Sequence, residues 1–234
     1  MSAVARELES DVVDVLDHGF LALDAVLASD LAVVNAARVS FNQSSDEMTE
    51  RDAGRIRFLM RDRHGSPFEH GYFRFIVKAP LFVVREHHRH RAGHSYNEWS
   101  GRYSRLEPEF YVPDFVRTQV GKPGAYSFDP VDDETRETAR REITAQAERA
   151  FATYERLLEQ GVAKEVARSV LPLATYTKYL WSCNPRSLMH FCSLRNHDAA
   201  QYEIRQYAAA AESFLARHMP VTHEAFVARG RVAP

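Results

Sequence analysis

The stretch over residues 72–105 constrains the fold most, because it runs from a strand-like segment into a dense cationic one. Residues 72–77 are aromatic and β-branched, the composition of a strand. Pro80 ends that strand, since proline cannot donate to a ladder. Residues 81 to about 91 then read as a helix with Phe82, Val83 and Val84 as its buried start. That helix delivers residues 85–105, REHHRHRAGHSYNEWSGRYSR, in which Arg85, Arg89, Arg91, Arg102 and Arg105 and His87, His88, His90 and His94 face only Glu86 and Glu98.

The remaining segments give a mixed picture. Residues 1–10 are expected to be a mobile start, and 12–16 form a short apolar run suited to a strand. Residues 31–39 form a helix opened by Ser29 or Asp30. Residues 42–50 are loop-like, and 49–61 follow as a helix with Ile56, Leu59 and Met60 on one face. Gly65 and Pro67 punctuate a turn over 64–70. Residues 103–130, with Pro108, Pro113, Pro123 and Pro130, read as an extended loop. The clearest helix covers 132–160, with Ile143, Ala147, Ala150, Tyr154, Leu157 and Leu158 at helical spacing until Gly161 stops it. A short helix over 163–170, a strand over 175–182, and helices over 185–195, 199–218 and 223–227 complete the chain. No repeat or low-complexity tract divides it, so the expectation is one α+β domain over 1–234 with helices in the majority.

Composition narrows the function. With 234 residues and 45% apolar content the chain can build a sizeable core. A net charge of −2 argues against a general nucleic-acid binder, so the local positive charge suits a small anionic ligand. Cys183 and Cys192 show no CxxC spacing, as in a reducing compartment. No signal peptide is read at the N-terminus and no apolar run reaches the roughly 20 residues of a membrane span. A cytoplasmic protein without membrane or nucleic-acid partners is expected.

Two chemistries compete for the cationic run. His87, His90 and His94 lie at i, i+3 and i+7, a helical face that could ligate a transition metal. Gly93 ends the helix before that face is complete, and neighbouring arginines would repel the cation, so no metal is expected. Arg89 and Arg91 instead supply forked donors for phosphate, joined by Ser95, Ser100, Gly101 and Arg102. From spacing alone, an ion-pair network with Glu86, Glu98 and Glu107 explains the run equally well. Residues 194–205 taken alone are an ordinary charged helix start, and Glu165 with Arg168 a surface pair.

Together these segments resemble the flavin-dependent thymidylate synthase family. Its signature is Arg-His-Arg, a seven-residue spacer and Ser, usually continuing into Gly-Arg-Tyr. Here it stands as Arg89-His90-Arg91, the eight residues AGHSYNEW, and Ser100-Gly101-Arg102-Tyr103, with one position inserted around Gly93 or His94. The likeness extends through AARVSF (36–41), HGSPFEH (64–70), FIVKAPLFVVRE (75–86), GVAKEVARSVLP (161–172), CNPRSLMHF (183–191) and AQYEIRQYA (200–208).

The resemblance implies a central antiparallel sheet flanked by long helices, and a homotetramer whose active sites are shared between subunits. It implies methylation of carbon 5 of dUMP, with FAD as hydride carrier and NADPH and methylenetetrahydrofolate as co-substrates. By position Ser66, Arg89, His90, Arg91, Glu98, Asn184, Arg186 and His190 match flavin contacts, and His64 and Glu69 lie in the turn approaching that cofactor. Glu86, Arg89, Glu98, Ser100, Gly101, Arg102, Arg168 and Arg195 match nucleotide contacts. Arg195 at the N3 edge of uracil would stabilise the ionised ring and direct electron density to carbon 5. In this family no side chain attacks the pyrimidine, so Ser100 is assigned to binding and neither cysteine to nucleophilic work. Three rivals stand beside this reading: a UMP or dual UMP/dUMP methylase, a non-enzymatic nucleotide or RNA-binding module, and a metal-dependent enzyme.

Overall fold

The computed structural model describes residues 11–234, so the mobile start expected over 1–10 lies outside the described residues. The chain begins with a hairpin of β1 (Val12–Val15) and β2 (Gly19–Leu27), turned at Leu16 with φ 63. Gly19 is obligatory there, because a Cβ would lie 2.1 Å from the Tyr207 hydroxyl. Helix α1 (Asp30–Arg38) starts at Ser29, whose hydroxyl accepts from the Ala32 N–H. Helix α2 (Glu50–Arg61) starts at Thr49, whose N–H and hydroxyl both donate to Asp52. A 3₁₀ turn over Ser66–Glu69 leads into β3 (Tyr72–Pro80).

Helix α3 (Leu81–His87) ends four residues before the expected Arg91. Its last turn closes through His88 N–H to Val84 O, and Gly93 at φ +72 then reverses the chain into β4 (His94–Glu98). The expected loop over 103–130 contains a two-stranded hairpin, β5 (Val120–Lys122) and β6 (Ala125–Ser127). Helix α4 (Asp133–Glu159), capped by Asp132, is about 40 Å long. Next come α5 (Lys164–Ala167), a 3₁₀ turn over Arg168–Val170, and β7 (Tyr176–Cys183). Helix α6 (Pro185–Arg195) has Asn184 as its cap, α7 spans Tyr202–His218, and α8 spans Pro220–Ala228.

The main sheet is antiparallel throughout, in the order β1-β2-β3-β7-β4. Phe73, Phe75, Val77 and Ala79 of β3 share one face with Tyr179, Trp181 and Cys183 of β7, and all are buried. Onto this face pack α6 and α7 through Leu188, Phe191, Ile204, Tyr207, Phe214 and Leu215. Burial of each such side chain is worth about 1.5–3 kcal/mol. Phe75 tilts against Trp181 with ring centroids 4.9 Å apart. Asp30 of α1 accepts from the Val221 and Thr222 N–H groups, satisfying donors that the start of α8 would leave unpaired. A smaller cluster of Phe151, Tyr154 and Ala167 joins α4 to α5. The order of the sheet matters for function: β4 lies at its edge beside β7, so the cationic run turns back over the N-terminal end of α6.

Candidate functional site

The three acids that could have neutralised the cationic run are engaged elsewhere. Glu86 bonds Arg195 at 2.9 Å, Glu98 accepts from the Thr177 hydroxyl at 2.9 Å, and Glu107 lies 4.0 Å from Lys178. Among the described residues, Arg89 and Arg91 have no carboxylate partner, and both line an open cavity of about 600 Å³. The remaining walls are Glu86, His90, Ala92, His94, His190, Leu194 and Arg195. At Arg89 and Arg91 the run is therefore not closed into an ion-pair network, and such forked donors are suited to an anionic ligand.

Arg195, on the last turn of α6, ties this wall together. Its Nε donates to His90 Nε2 at 2.9 Å, its Nη1 to the Glu86 carboxylate at 2.9 Å and its Nη2 to the Glu86 carbonyl at 3.2 Å. One further N–H on each of Nη1 and Nη2 has no partner among the described residues. Because His90 Nε2 is an acceptor, its neutral ring carries the proton on Nδ1. Burial, reinforced by Arg195, His94 and His190, holds His90 down to about 4. Burial, reinforced by His190, holds His94 down to about 4 as well. Burial pushes the Glu86 carboxyl up, and Arg195 opposes it. The cavity therefore combines permanent cations with the neutral imidazoles of His90 and His94 near pH 7.

A second cavity of about 430 Å³ adjoins the first, sharing Ala92 and His190 and lined also by Glu69, Gly93, Asn184, Arg186, Ser187 and Pro234. Arg186 pairs with Glu69 and donates from Nε to the Pro234 carbonyl at 2.7 Å. Gly65 lies so close that a Cβ would sit 2.5 Å from the Arg186 guanidinium carbon, which brings the turn holding His64 and Ser66 against this cavity. The His64 ring itself packs edge-on to Phe58 at 5.5 Å.

Ser100, Gly101, Arg102 and Arg168 line neither cavity and form a separate patch. Arg102 pairs with Glu165 at 2.9 Å, both about half exposed, and a Cβ on Gly101 would meet the Arg168 side chain at 3.3 Å. Glu165 thus serves Arg102, not Arg168. Residues 194–205 contain the end of α6, a turn and the start of α7, with Arg205 paired to Asp198. Glu98, at the end of β4, also lies outside both cavities. The structure thus gathers Glu86, Arg89, His90, Arg91, His190 and Arg195 in one cavity and Glu69, Asn184, Arg186 and His190 in the next. Among the described residues no group of three or more His, Cys, Asp or Glu side chains could hold a metal ion. Burial pushes both cysteine thiols up.

Sequence reading weighed His94 only as a metal ligand and as part of the lengthened spacer, and did not select Ser187 or Leu194. For His94 a signal existed: the glycine before it, where a reversal would bring the next residue onto the cavity wall.

Comparison with known proteins places the chain in a family. The family model for thymidylate synthase complementing protein fits residues 23–221. The chain is 49% identical to the flavin-dependent thymidylate synthase of Streptomyces coelicolor, over 88% of this chain and 90% of that one. It is 46% identical to that of Thermotoga neapolitana, over 92% and 94% respectively. The chain belongs to the flavin-dependent thymidylate synthase family. Among solved structures, the UMP/dUMP methylase PolB of Streptomyces cacaoi bound with 5-Br dUMP superposes with TM-score 0.87 at 44% identity, covering 95% of this chain and 100% of that one. The same methylase bound with 5-Br UMP gives 0.86 at 45% identity, with the same coverage.

Proposed function

We propose that this chain is an enzyme that methylates carbon 5 of a uridine monophosphate nucleotide, converting dUMP to dTMP. Methylenetetrahydrofolate donates the carbon, FAD carries hydride and NADPH is the reductant. The observation that carries this reading is the pair of unpaired forks, Arg89 and Arg91, beside neutral His90 in a cavity closed by Arg195. Both cavities fall in the ~300–1,000 Å³ range of small-molecule sites, and their cationic, open-ended shape fits a cofactor with a planar ring and a diphosphate.

When bound, the flavin supplies hydride to the transferred one-carbon unit. The chain's own residues bind and orient. Arg89, Arg91, Asn184 and Arg186 hold the cofactor's polar groups, with His64, Ser66, Glu69, His90 and His190 around them. The free N–H groups of Arg195 meet the imide edge of the uracil and stabilise negative charge that develops there. Ser100, Gly101, Arg102 and Arg168 take the nucleotide phosphate, with Glu86 and Glu98 positioning donors. Since that patch lines neither cavity of its own chain, this reading has a neighbouring copy complete each site, in a homotetramer. Cys183 and Cys192 are buried and take no part. The enzyme acts on free nucleotides in the cytoplasm, not on nucleic acid or membrane; among the described residues no helix is long and apolar enough to cross a bilayer.

A second reading, that UMP is accepted as well, is favoured by the close likeness to a methylase described as acting on both nucleotides. Purified protein given FAD, NADPH, methylenetetrahydrofolate and either dUMP or UMP, with chromatography of the nucleotides, tests both. Formation of dTMP is expected. Strong preference for dUMP removes the second reading, and no methylated product from either nucleotide overturns the first.

A further inference from the structure

His94 lies in the part of the spacer where the extra position falls, around Gly93 or His94, and the fold builds a place for it. Gly93 turns at φ +72 so close to α6 that a Cβ would sit 2.2 Å from Ser187 Oγ. Ser187 Oγ donates to the Ala92 carbonyl at 3.0 Å, and Asn184 accepts the Ser187 N–H, so this turn is pinned to the start of α6. Pairing of β4 with β7 then sets His94 opposite Cys183, two residues along β7 from Trp181.

Trp181 Nε1 donates to His94 Nδ1 at 3.0 Å. An indole N–H can only donate, so Nδ1 is the acceptor and the neutral ring must carry its proton on Nε2. The ring is also held flat, parallel to Trp181 within 10° and to Tyr96 within 3°. His94 lines the 600 Å³ cavity beside His90 and Arg195, and its ring bond to Trp181 engages Nδ1, so among the described residues none accepts from its Nε2.

We infer that His94 is a binding residue whose Nε2–H donates to a carbonyl oxygen of the imide edge, –CO–NH–CO–, that uracil and the flavin ring system share. This inference rests on the proposed function. A donor fixed by Trp181 cannot turn into an acceptor without breaking the indole bond. It therefore selects a ring carbonyl and rejects an amino group at the same place, as a cytosine ring would present. His94 adds to Arg195 a second fixed donor in the same cavity.

Two variants separate this role from packing. His94→Phe keeps the flat ring without the donor, and His94→Gln keeps an N–H donor without the ring. FAD affinity is measured by absorbance, and dUMP and dCMP affinity on FAD-loaded protein. His94→Phe is expected to weaken one of FAD or dUMP by about tenfold, with His94→Gln recovering most of the loss. A loss confined to FAD assigns the flavin carbonyl; a loss confined to dUMP, with narrowed discrimination against dCMP, assigns the uracil carbonyl. Wild-type affinities in both variants overturn the inference, as do equal losses in both with a lowered Tm. Long-range ¹H–¹⁵N NMR of the protein without FAD must show His94 as the neutral Nε2–H tautomer; the Nδ1–H tautomer overturns the inference by itself. Failure of the wild-type protein to take up FAD counts against the proposed function instead, while the tautomer still tests His94.

Discussion

The two ends of the cationic run have become different kinds of surface. The first, from Glu86 to His94, is folded onto the core: Arg195 binds Glu86 and His90, Trp181 binds His94, and burial keeps both imidazoles neutral. The second, from Ser100 to Arg102, presents an exposed Arg102 held by Glu165, with Gly101 buried beside Arg168. Only six positions separate His94 from Ser100 in sequence, yet one end is organised by the core of its own chain and the other is not. A preorganised donor set stabilises charge without reorganising at the moment of reaction. An exposed ion pair contributes little to the fold and is free to exchange its partner for a phosphate.

The comparison breaks most directly at Arg195. Arg195→Ala leaves His90 and Glu86 without their shared partner, and turnover with dUMP is expected to fall by about 100-fold or more with flavin still bound. Retained turnover in a steady-state assay would remove Arg195 from the reaction. On the other side, Arg102→Ala is expected to raise the KM for dUMP by about tenfold. Its folding free energy should change by less than about 0.5 kcal/mol in urea titration, because the Arg102–Glu165 pair is exposed. A large stability loss there would show that the patch is structural.

Smaller effects sharpen the same contrast. Gly93→Ala forces a side chain into a left-handed turn against Ser187 and is expected to cost about 1–2 kcal/mol, read as a lowered urea midpoint. Acid provides the mildest probe. His90 and His94 titrate near 4 in the fold and near 6.5 unfolded, so between those values the unfolded chain binds more protons. Stability should therefore decline as pH falls from about 6.5 towards 4. His90→Gln and His94→Gln should each flatten that decline, which thermal melts across the range would show; Arg102→Ala should leave it unchanged.

Much of this was legible because local chemistry agrees with tertiary packing. Helix α6 was readable from Pro185 at its first turn, and α4 from its apolar spacing up to Gly161. Strand β2 was not, because GFLALDAVL is apolar on both faces and carries a register shift between Leu23 and Ala25, which obscures alternation. Strand β4 was not either: His-Ser-Tyr-Asn-Glu has the polarity of a loop, and only pairing with β7 makes it a strand. Helix α3 looked longer than it is because its charged continuation suits a helix, whereas the tertiary turn at Gly93 ends it. In the site, Arg89-His90-Arg91 and Ser100-Gly101-Arg102 stood out as motifs. The bond from Arg195 to His90 spans 105 positions and the one from Trp181 to His94 spans 87, separations that no local spacing encodes.

The division of labour between the two ends is tested most directly by flavin retention. Three proteins are purified with FAD in excess, desalted and scanned: wild type, Arg89→Ala with Arg91→Ala, and Arg102→Ala. Wild type and Arg102→Ala should stay yellow and bleach with NADPH, while the double variant, folded by circular dichroism, should be colourless. A double variant that keeps its flavin, or an Arg102→Ala protein that loses it, would contradict the assignment of the two ends.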